Sequence, residues 1–434
     1  MIKINPINFA FKNSKINNTA KNNRLNQQYI KNDTFVSSKT NITFKGNLIK
    51  EKEDFIQKQA AKIKANAQQI VKNSVDIRHK NERIFQNGNY ISAYKKSDKI
   101  IDEALSLFSG YSQKIKQSID EFKYGKSNDF KPFKNSKGNT VIFRKPLTAK
   151  SPFVMLEFDN KHRLIQKSFF DSTGSALIEI ESIDADKNAT LINNIVNLDS
   201  FSVSLNYKKR GPLDICSEQY TYEDGILVEY FKDYKFQNEN KYEFSERYIY
   251  DNNGRVCNIE KGCKKNFEEE DYLRYDERTW YNDGEISLFV KNCTVAKDNK
   301  TFCEEIYQYN DEELKVYTTN QQTDETGKVA TFNEKYSYIP DSYKLSYYTK
   351  NGKNDETNRT FNCEEIYTFQ ENGDIARYGE GYFEHDSSLR KYKHLFQFED
   401  GNLMDYGKDY EDTLVVEGGA AAASETTESK APLR

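Results

Sequence analysis

A seven-residue phrase recurs seven times between Cys216 and about Tyr406, and it constrains the fold of this chain more than any other feature. Its copies begin at residues 216, 244, 275, 303, 332, 363 and 392, which are 28, 31, 28, 29, 31 and 29 residues apart. They read CSEQYTY, FSERYIY, YDERTWY, CEEIYQY, FNEKYSY, CEEIYTF and YKHLFQF. A fixed period of this length indicates a repeat architecture, in which each unit packs mainly against its neighbours.

Each repeat is predicted to be one β-hairpin. A turn signal such as EDG, DNNG or NDG follows the phrase, and an aliphatic or aromatic run follows the turn. We expect the hairpins to join into an extended antiparallel meander of about seven repeats of roughly 30 residues. A sheet that wide rarely stays flat, so we expect it to be twisted or spiralling. The predicted fold class is mainly β, with a short helical region before the array.

Composition and pattern divide the chain into five segments. Residues 1–50 contain nine Lys or Arg, one Asp and eleven Asn, which predicts a disordered basic arm. An amphipathic spacing predicts helices within residues 51–125, as a hairpin or a cap on the array. Residues 126–213 carry strand-like runs that we interpret as a degenerate start of the sheet, and residues 214–410 are the repeat array. Residues 411–434 are predicted to be a flexible tail or an artificial linker.

Alternation with a period of two places the first, third, fifth and seventh residues of each phrase, here called slots 1, 3, 5 and 7, on one face of a strand. Slot 3 is a glutamate in six copies, and slot 7 is aromatic in all seven. The candidate binding face consists of Glu218, Glu246, Glu277, Glu305, Glu334, Glu365, Tyr222, Tyr250, Tyr281, Tyr309, Tyr338 and Phe369.

Two interpretations of this face remain open on sequence grounds. A column of carboxylates flanked by rings could bind cations, basic peptides or sugar hydroxyls, and rings can also act as stacking platforms. In the second interpretation, each Glu accepts a hydrogen bond from a neighbouring Tyr hydroxyl, and the rings simply pack across strands.

The sequence contains no recognisable catalytic or metal-binding pattern. The four His are scattered, none lies near a Cys at ligand spacing, and the strings GxSxG, HExxH, GxGxxG and the P-loop are missing. We therefore predict a protein without enzymatic activity, catalytic residues, metal or cofactor. Cys293 and Cys303 flank a loop and could oppose one another across a hairpin, which makes them a candidate cross-strand thiol pair.

Charge and hydropathy restrict the partners that we expect. A net charge of -3 argues against a nucleic-acid partner, because such proteins carry a strongly basic surface. No apolar run is long enough for a membrane span. The first residues lack a secretory signal pattern, so the default expectation is the cytoplasm, with non-classical export or a surface location as the alternative. The expected partner is a protein or a polysaccharide, and the helices within residues 51–122 are a candidate surface for self-association.

One hairpin resembles the YD repeat of RHS-type proteins, best over residues 248–259. That pattern is Tyr, any residue, Tyr, Asp, two of any residue, Gly, Arg and an aliphatic residue, and it is matched by Tyr248, Tyr250, Asp251, Gly254, Arg255 and Val256. The resemblance implies hairpins that build spiralling sheets around cargo such as toxin domains, in large surface or secreted proteins. Most other copies lack the Arg, and the period here is longer. Aromatic strings ending in Asp-Gly are also similar to the wall-binding and glucan-binding repeats of Gram-positive surface proteins.

The sequence thus predicts a non-enzymatic β-repeat binding or scaffold protein that uses its Glu-lined and aromatic face to hold a protein or polymer partner. The alternatives are a cell-surface repeat protein that binds carbohydrate or cell wall, and a secreted effector or toxin-associated wrapper.

Overall fold

The helices and strands follow the periodicities of the sequence. The structure is a computed structural model and describes residues 47–82, 90–109, 132–144, 153–171, 177–184, 186–193, 200–311, 313–340, 342, 344–386 and 388–413. The predictions for residues 1–46 and 414–434 lie outside the described residues. A helix begins at Asn47, within the segment predicted as the arm, and a strand ends at Thr413, within the segment predicted as the tail.

The described part of the chain contains two helices and twenty-one strands. The helices are α1, Asn47–Glu82, and α2, Tyr90–Ser109. The first seven strands, in the region predicted as a degenerate start, are β1 Phe133–Lys134, β2 Thr140–Arg144, β3 Phe153–Phe158, β4 Leu164–Phe170, β5 Leu177–Ile183, β6 Ala189–Asn193 and β7 Ser200–Arg210. The repeats supply β8 Leu213–Glu223, β9 Ile226–Asn238, β10 Lys241–Tyr250, β11 Val256–Asn266, β12 Leu273–Asn282, β13 Glu285–Val295, β14 Thr301–Asn310, β15 Glu313–Thr323, β16 Val329–Tyr338, β17 Leu345–Asp355, β18 Thr360–Phe369, β19 Ile375–His385, β20 Leu389–Glu399 and β21 Asn402–Thr413.

The strands are distributed over two compact units. Unit I comprises the described residues of 76–321, with α2 and the strands from β1 to most of β15. Unit II comprises residues 47–75 of α1 and residues 322–413, with β16 to β21. Within unit I each strand from β1 to β13 pairs antiparallel with the next along the chain, and in unit II each strand from β16 to β20 does the same. The predicted fold class, a mainly β antiparallel hairpin meander preceded by a short helical region, is confirmed.

Asp-Gly turns close several hairpins. Asp224 and Gly225 have φ of 50° and 78°, and Asp400 and Gly401 have φ of 50° and 73°. A two-residue turn with both φ values positive matches the right-handed twist of the flanking strands, and Asp followed by Gly tolerates this geometry best. The EDG signals in the sequence therefore act as hairpin turns.

A second set of left-handed residues lies in the middle of alternate strands, where no turn occurs. These positions have φ between 47° and 61°, and all are Asn, Asp or Gly: Asn206, Asp233, Gly262, Asn292, Asn320, Asn351, Gly381 and Asp409. Only such residues adopt this region at low cost. One therefore recurs in each repeat, beside the start of the neighbouring phrase. For example, Asn351 stands between the pairs Glu334–Lys350 and Phe332–Gly352.

The left-handed residues in alternate strands interrupt the regular alternation of side chains in the neighbouring phrase, between its slots 1 and 3. Phe244, in slot 1, contacts Phe231 at 5.2 Å, and Phe231 is paired with Arg247 in slot 4. Likewise the Lys335 ammonium, from slot 4, lies 6.0 Å from the centre of the Phe332 ring in slot 1. Slot 1 thus shares a face with slot 4. The prediction that slot 1 lies with slots 3, 5 and 7 is wrong, because the alternation of an undistorted strand does not continue through this point.

The array consequently has aromatic packing on both faces. Slots 3, 5 and 7 occupy what we call the helix face, where Tyr222 and Tyr250 form one core with Ala93 and Ile100 of α2. Slot 1 contributes to the opposite face, where Phe231, Tyr234 and Phe244 pack together in unit I and Tyr382, Tyr392 and Tyr410 form a chain of rings in unit II.

A helix-covered candidate binding face

The slot 7 tyrosines of unit I are buried beneath α2. Tyr222 is 1% exposed and donates its hydroxyl to the carbonyl oxygen of Ser97 at 2.9 Å. One repeat later, Tyr250 is 5% exposed and donates to the carbonyl oxygen of Tyr90, also at 2.9 Å. The ring of Tyr94 packs on Tyr250 with centroids 5.3 Å apart. These hydroxyls therefore anchor helix backbone to the sheet.

The same arrangement recurs in unit II with α1. Tyr338, in slot 7, donates to the carbonyl oxygen of Ser74 at 3.3 Å. The side chain of Asn73 acts on the slot 5 residue Tyr336 and lowers its pKa, against the larger effect of burial. In the next phrase of unit II, the side chain of Asn66 acts on the pKa of Tyr367 in the same way.

Helix and sheet share a common period. In unit I, Ser97 and Tyr90 are seven residues apart and meet tyrosines one repeat apart. In unit II, Asn73 and Asn66 are also seven residues apart and again meet successive repeats. Seven helical residues rise about 10.5 Å, and two strands span about 9.6 Å. Because the two lengths nearly match, one helical heptad meets each hairpin. The helices run against the order of the repeats.

Small residues line the buried sides of both helices. The buried positions are Ala60, Ile63, Ala67, Ile70 and Ser74 in α1 and Ala93, Ser97, Ile100 and Ala104 in α2. Alanine and serine let helix backbone lie close to the tyrosine rings. The approach is tight at the β10–β11 turn, where a Cβ on Gly254 would lie 2.4 Å from the Tyr94 hydroxyl.

Two glutamates of the column bind lysines from the helices. In unit I, Glu218 accepts from Lys96 of α2 at 2.5 Å, and the hydroxyls of Tyr220 and Tyr230 donate to it at 3.3 Å. Glu305, also in unit I, lies 3.5 Å from the Lys80 ammonium of α1. The Glu218 and Glu305 side chains are 23% and 15% exposed, so each pair sits at the margin of the covered face.

The other glutamates are held by partners within the sheet. Glu246 accepts from Lys232 at 2.8 Å and from the Tyr248 hydroxyl. Burial raises the pKa of Glu246, but the bonds from Lys232 and Tyr248 outweigh it and leave the pKa below its usual value. The remaining pairs are Lys261 to Glu277 at 2.9 Å, Tyr348 to Glu334 at 2.8 Å and Tyr367 to Glu365 at 3.3 Å.

Most aromatic residues of the candidate binding face are buried, so a ligand could not stack on their rings. Tyr222, Tyr250, Tyr309, Tyr338 and Phe369 are 1% to 8% exposed. Tyr281 is half-buried, with its ring 6.5 Å from that of Tyr90. In this structure the helical region of the same chain contacts Tyr222, Tyr250 and Tyr338. The bonds from Tyr hydroxyls to Glu218, Glu246, Glu305, Glu334 and Glu365 match the packing interpretation.

The two cysteines singled out in the sequence form a disulfide. Cys293 and Cys303 are directly paired between β13 and β14, with Cα atoms 4.2 Å apart and an S–S distance of 2.08 Å. They pack with Val290 and Ile306 on the face opposite the helix face. Cys216, Cys263 and Cys363 are buried free thiols, and burial raises the pKa of Cys216 and of Cys363 to about 12.

A buried ionic cluster on the opposite face was not foreseen from the sequence. Arg247 binds Glu229 and lies 3.1 Å from Glu260, and Arg278 lies 2.8 Å from Glu260. The Glu260 side chain is 1% exposed, and the Arg278 guanidinium stands 4.4 Å from the Trp280 ring centre. Burial lowers the pKa of Arg247, but the charges of Glu229 and Glu260 more than reverse this effect. The sequence did contain one signal for this cluster, because slot 4 is an arginine in two successive phrases, at Arg247 and Arg278.

Neither a metal-binding cluster nor a membrane-spanning helix occurs among the described residues. Among the residues that the structure describes, no group of three His, Cys, Asp or Glu side chains is placed to hold a metal ion. Of the two helices, neither offers an apolar stretch that would cross a bilayer.

Comparisons with known proteins add no family. No family model matches the chain. No curated protein matches it. Among solved structures, a porin-like protein from Bacteroides uniformis is 8% identical, with a TM-score of 0.11 over 65% of this chain and 91% of that one. A putative 6-phosphogluconolactonase from the same organism is 12% identical, with a TM-score of 0.10 over 63% of this chain and 82% of that one.

Proposed function

We propose that this chain is a non-enzymatic β-repeat scaffold whose Glu-lined and aromatic face recognises a protein partner through a lysine-bearing amphipathic helix. The observation that carries the proposal is the contact of α2 with unit I. There the Lys96 ammonium binds Glu218, and the Tyr222 hydroxyl binds the Ser97 carbonyl oxygen. The helical region fills this face in cis, and a partner helix with the same pattern would compete for it.

The chemistry of the face favours a helical protein segment over a polysaccharide. The slot 7 hydroxyls meet helix carbonyl oxygens spaced by seven residues, a spacing that a sugar polymer does not reproduce. The buried rings accept small aliphatic side chains such as Ala93 and Ala104. Helix-in-groove recognition by anchors at heptad spacing is a known mode of peptide binding.

A peptide competition experiment tests this proposal. The full chain carrying Ala93→Glu and Ala104→Glu should hold its own α2 weakly, because each substitution buries an unpaired carboxylate. A labelled peptide with the native sequence of residues 90–109 should then bind saturably in fluorescence anisotropy. Glu218→Gln in the sheet should weaken this binding by up to about fivefold, the worth of a partly exposed ion pair.

The control is the same peptide carrying Ala93→Glu and Ala104→Glu, which should not bind. Circular dichroism should show that the chain variant keeps its strand signal. If the native peptide fails to bind a folded variant, or binds the unmodified chain equally well, the face is not a helix receptor.

A second candidate, a secreted effector or surface protein, is favoured by one observation. Disulfides persist mainly in oxidising compartments, and Cys293–Cys303 is such a bond. Alkylation of free thiols during lysis, followed by peptide mass mapping, would decide the matter. A disulfide intact in protein from the culture supernatant would favour export, whereas reduced Cys293 and Cys303 in the cell fraction would favour the cytoplasm.

A further inference from the structure

The last strand of unit II is paired on one side. Among the described residues β21 pairs with β20 alone, over its length from Asn402 to Thr413. About half of the amide and carbonyl groups of such an edge strand point away from its partner. A long exposed edge is a template for the addition of another strand, here called the incoming strand.

The backbone of β21 matches that of strands paired on both sides. In the earlier hairpins β9, β17 and β19, which also follow a turn, each accept the phrase-bearing strand of the next repeat. A left-handed residue lies inside each of them, at Asp233, Asn351 and Gly381, with φ of 51°, 49° and 61°. Asp409 takes the same place in β21, also with φ of 51°. This irregularity is therefore compatible with a strand on either side.

A ladder of alternating glutamate and lysine ends on β21. In several repeats the residue just before the left-handed position is a lysine that pairs with slot 3 on both sides. Lys232, for example, lies between Glu218 and Glu246, and Lys350 lies in the same way between two slot 3 glutamates. Lys408 has the equivalent position in β21, where the described residues provide a neighbour from β20 alone. A slot 3 glutamate on the incoming strand would complete the ladder, since opposite charges attract across strands.

The ring next to Lys408 is less buried than its counterpart. Tyr406 lies two residues before Lys408, as Tyr230 lies two residues before Lys232. Tyr230 stacks on Tyr248, in slot 5 of the next phrase, with ring centroids 5.4 Å apart, and is 4% exposed. Tyr406 is only half-buried. A slot 5 ring on the incoming strand would cover it.

The acidic character of β21 favours a basic residue in slot 4. In unit I, Arg247 of slot 4 binds Glu229 of β9, and Asp405 occupies in β21 the position of Glu229. Asp405 is exposed, so a basic slot 4 residue could reach it in the same way. Two copies of β21 would repel one another, because the strand carries four acidic residues and one lysine.

Helix α1 extends over the place of the incoming strand. Its side chains Asn73 and Asn66, seven residues apart, act on tyrosines of β16 and β18. The same period places residue 59 at β20 and residue 52, which also belongs to α1, at a strand beyond β21. Ile56 continues the buried stripe of the helix in this direction but is only half-buried. Apolar helix surface is thus available to cover an additional ring.

We propose that the free edge of β21 binds an extended strand of another protein that carries the same phrase, with Glu in slot 3, a basic residue in slot 4 and an aromatic residue in slot 5. Main-chain hydrogen bonds supply affinity in such strand addition, and the side chains select the register. The phrase of residues 244–250, FSERYIY, has this pattern. In this chain it belongs to β10, which is already paired with β9 and β11. The inference concerns the sheet edge and not the face under α2, so it is independent of the proposed function.

Hydrogen exchange of the full chain, read by mass spectrometry, tests the edge with a peptide of the sequence of residues 241–250. Bound peptide should slow the amides of β21 at least tenfold and leave those of β18 unchanged. Unchanged exchange of β21 at the highest soluble peptide concentration would overturn the proposal. Protection of β21 before peptide is added would also overturn it, whether or not it rises with protein concentration, because the chain itself would then occupy the edge.

Exchanging the two charges tests the register. Lys408→Glu in the chain should weaken peptide binding about fivefold, as expected for a partly exposed ion pair, and Glu246→Lys in the peptide should restore it. Lys353→Glu, the same change at an exposed site on β17, is the matched control and should leave the affinity nearly unchanged. Fluorescence anisotropy of labelled peptide gives the affinities. Equal weakening by both chain variants, or no recovery with the exchanged charges, would contradict pairing at Lys408.

One comparison needs no chain variant. The Glu246→Lys peptide should bind the unmodified chain about fivefold more weakly than the native peptide does. Equal binding of the two peptides would show that Lys408 does not select a glutamate.

Discussion

The Tyr222 hydroxyl donates a hydrogen bond to the backbone carbonyl oxygen of Ser97, 125 residues earlier in the chain, at 2.9 Å. This contact joins a slot 7 ring of the repeat array to the buried side of α2, and Tyr250 repeats it one hairpin later on Tyr90. The repeat phrase therefore positions a helix as well as neighbouring strands.

Removal of the Tyr222 hydroxyl tests the contact directly. Tyr222→Phe leaves the ring in place and the Ser97 carbonyl oxygen without its donor, so the free energy of unfolding should fall by about 1 kcal/mol. Tyr281→Phe, at the same slot on a half-buried ring, should change it by less than half as much. Urea unfolding followed by circular dichroism gives both values. Equal effects would mean that the bond to the helix contributes nothing of its own.

The small residues under the helix should be intolerant of enlargement. Ala67 is 3% exposed on the buried side of α1, and Ala67→Leu forces extra volume into the contact with the sheet, at a cost of about 1–3 kcal/mol. Ala65→Leu, on the exposed side of the same turn, should be nearly neutral. Thermal unfolding of the two variants compares them. An equal loss of stability would contradict close packing of α1 on the sheet.

The left-handed residues inside the strands make a third prediction. Asn351 has φ of 49°, so Asn351→Val should lower the free energy of unfolding by about 1–2 kcal/mol, because a β-branched residue is strained there. Asn351→Gly should be much milder, since glycine adopts this region freely. Asn354→Val, at an exposed site of ordinary φ on the same strand, is the control for the change in side chain. Equal stability of the Val and Gly variants at residue 351 would argue against the left-handed backbone.

Alkaline pH should loosen the helix face. Burial raises the pKa of Tyr222 and of Tyr250 above the usual 10.0, and it raises the pKa of Tyr336 to about 12. Because the pKa is higher in the folded state than in the unfolded state, these tyrosines contribute their full share to the free energy of unfolding below pH 10. That contribution is lost as the pH rises through the folded-state pKa. We expect tyrosinate absorbance near 295 nm to show a fraction that ionises only as the β-sheet signal disappears. A single ionisation step centred near pH 10, complete while the sheet is still intact, would contradict the burial of these rings.

The hairpins could be predicted from the sequence because their signals are local. Aromatic alternation and Asp-Gly turns such as Asp224–Gly225 determine strand and turn within a few residues. The placement of slot 1 could not be derived from alternation alone, since it depends on left-handed residues of the neighbouring strand. Their signal was nevertheless present, as an Asn, Asp or Gly at the same position of every second strand.

The helical cover was harder to predict because it depends on contacts between segments more than a hundred residues apart. The amphipathic pattern indicated helices, but it did not reveal what they pack on. Two features could have suggested the answer. The small residues Ala60, Ala67 and Ser74 recur every seven positions, and a heptad matches the width of one hairpin. The lysines that meet Glu218 and Glu305 carry no such signal, because charged residues are common on helix surfaces.

Carbodiimide cross-linking of an isotope mixture is the most direct test of whether the helical region fills the Glu-lined and aromatic face of its own chain. Equal amounts of unlabelled and ¹⁵N-labelled protein are unfolded together, refolded and cross-linked, and the linked peptides are identified by mass. The Lys96 ammonium and the Glu218 carboxylate are 2.5 Å apart, so they should be joined, and each joined pair should be wholly unlabelled or wholly labelled. Mixed-isotope pairs, or Lys96 joined only to other carboxylates, would contradict the account.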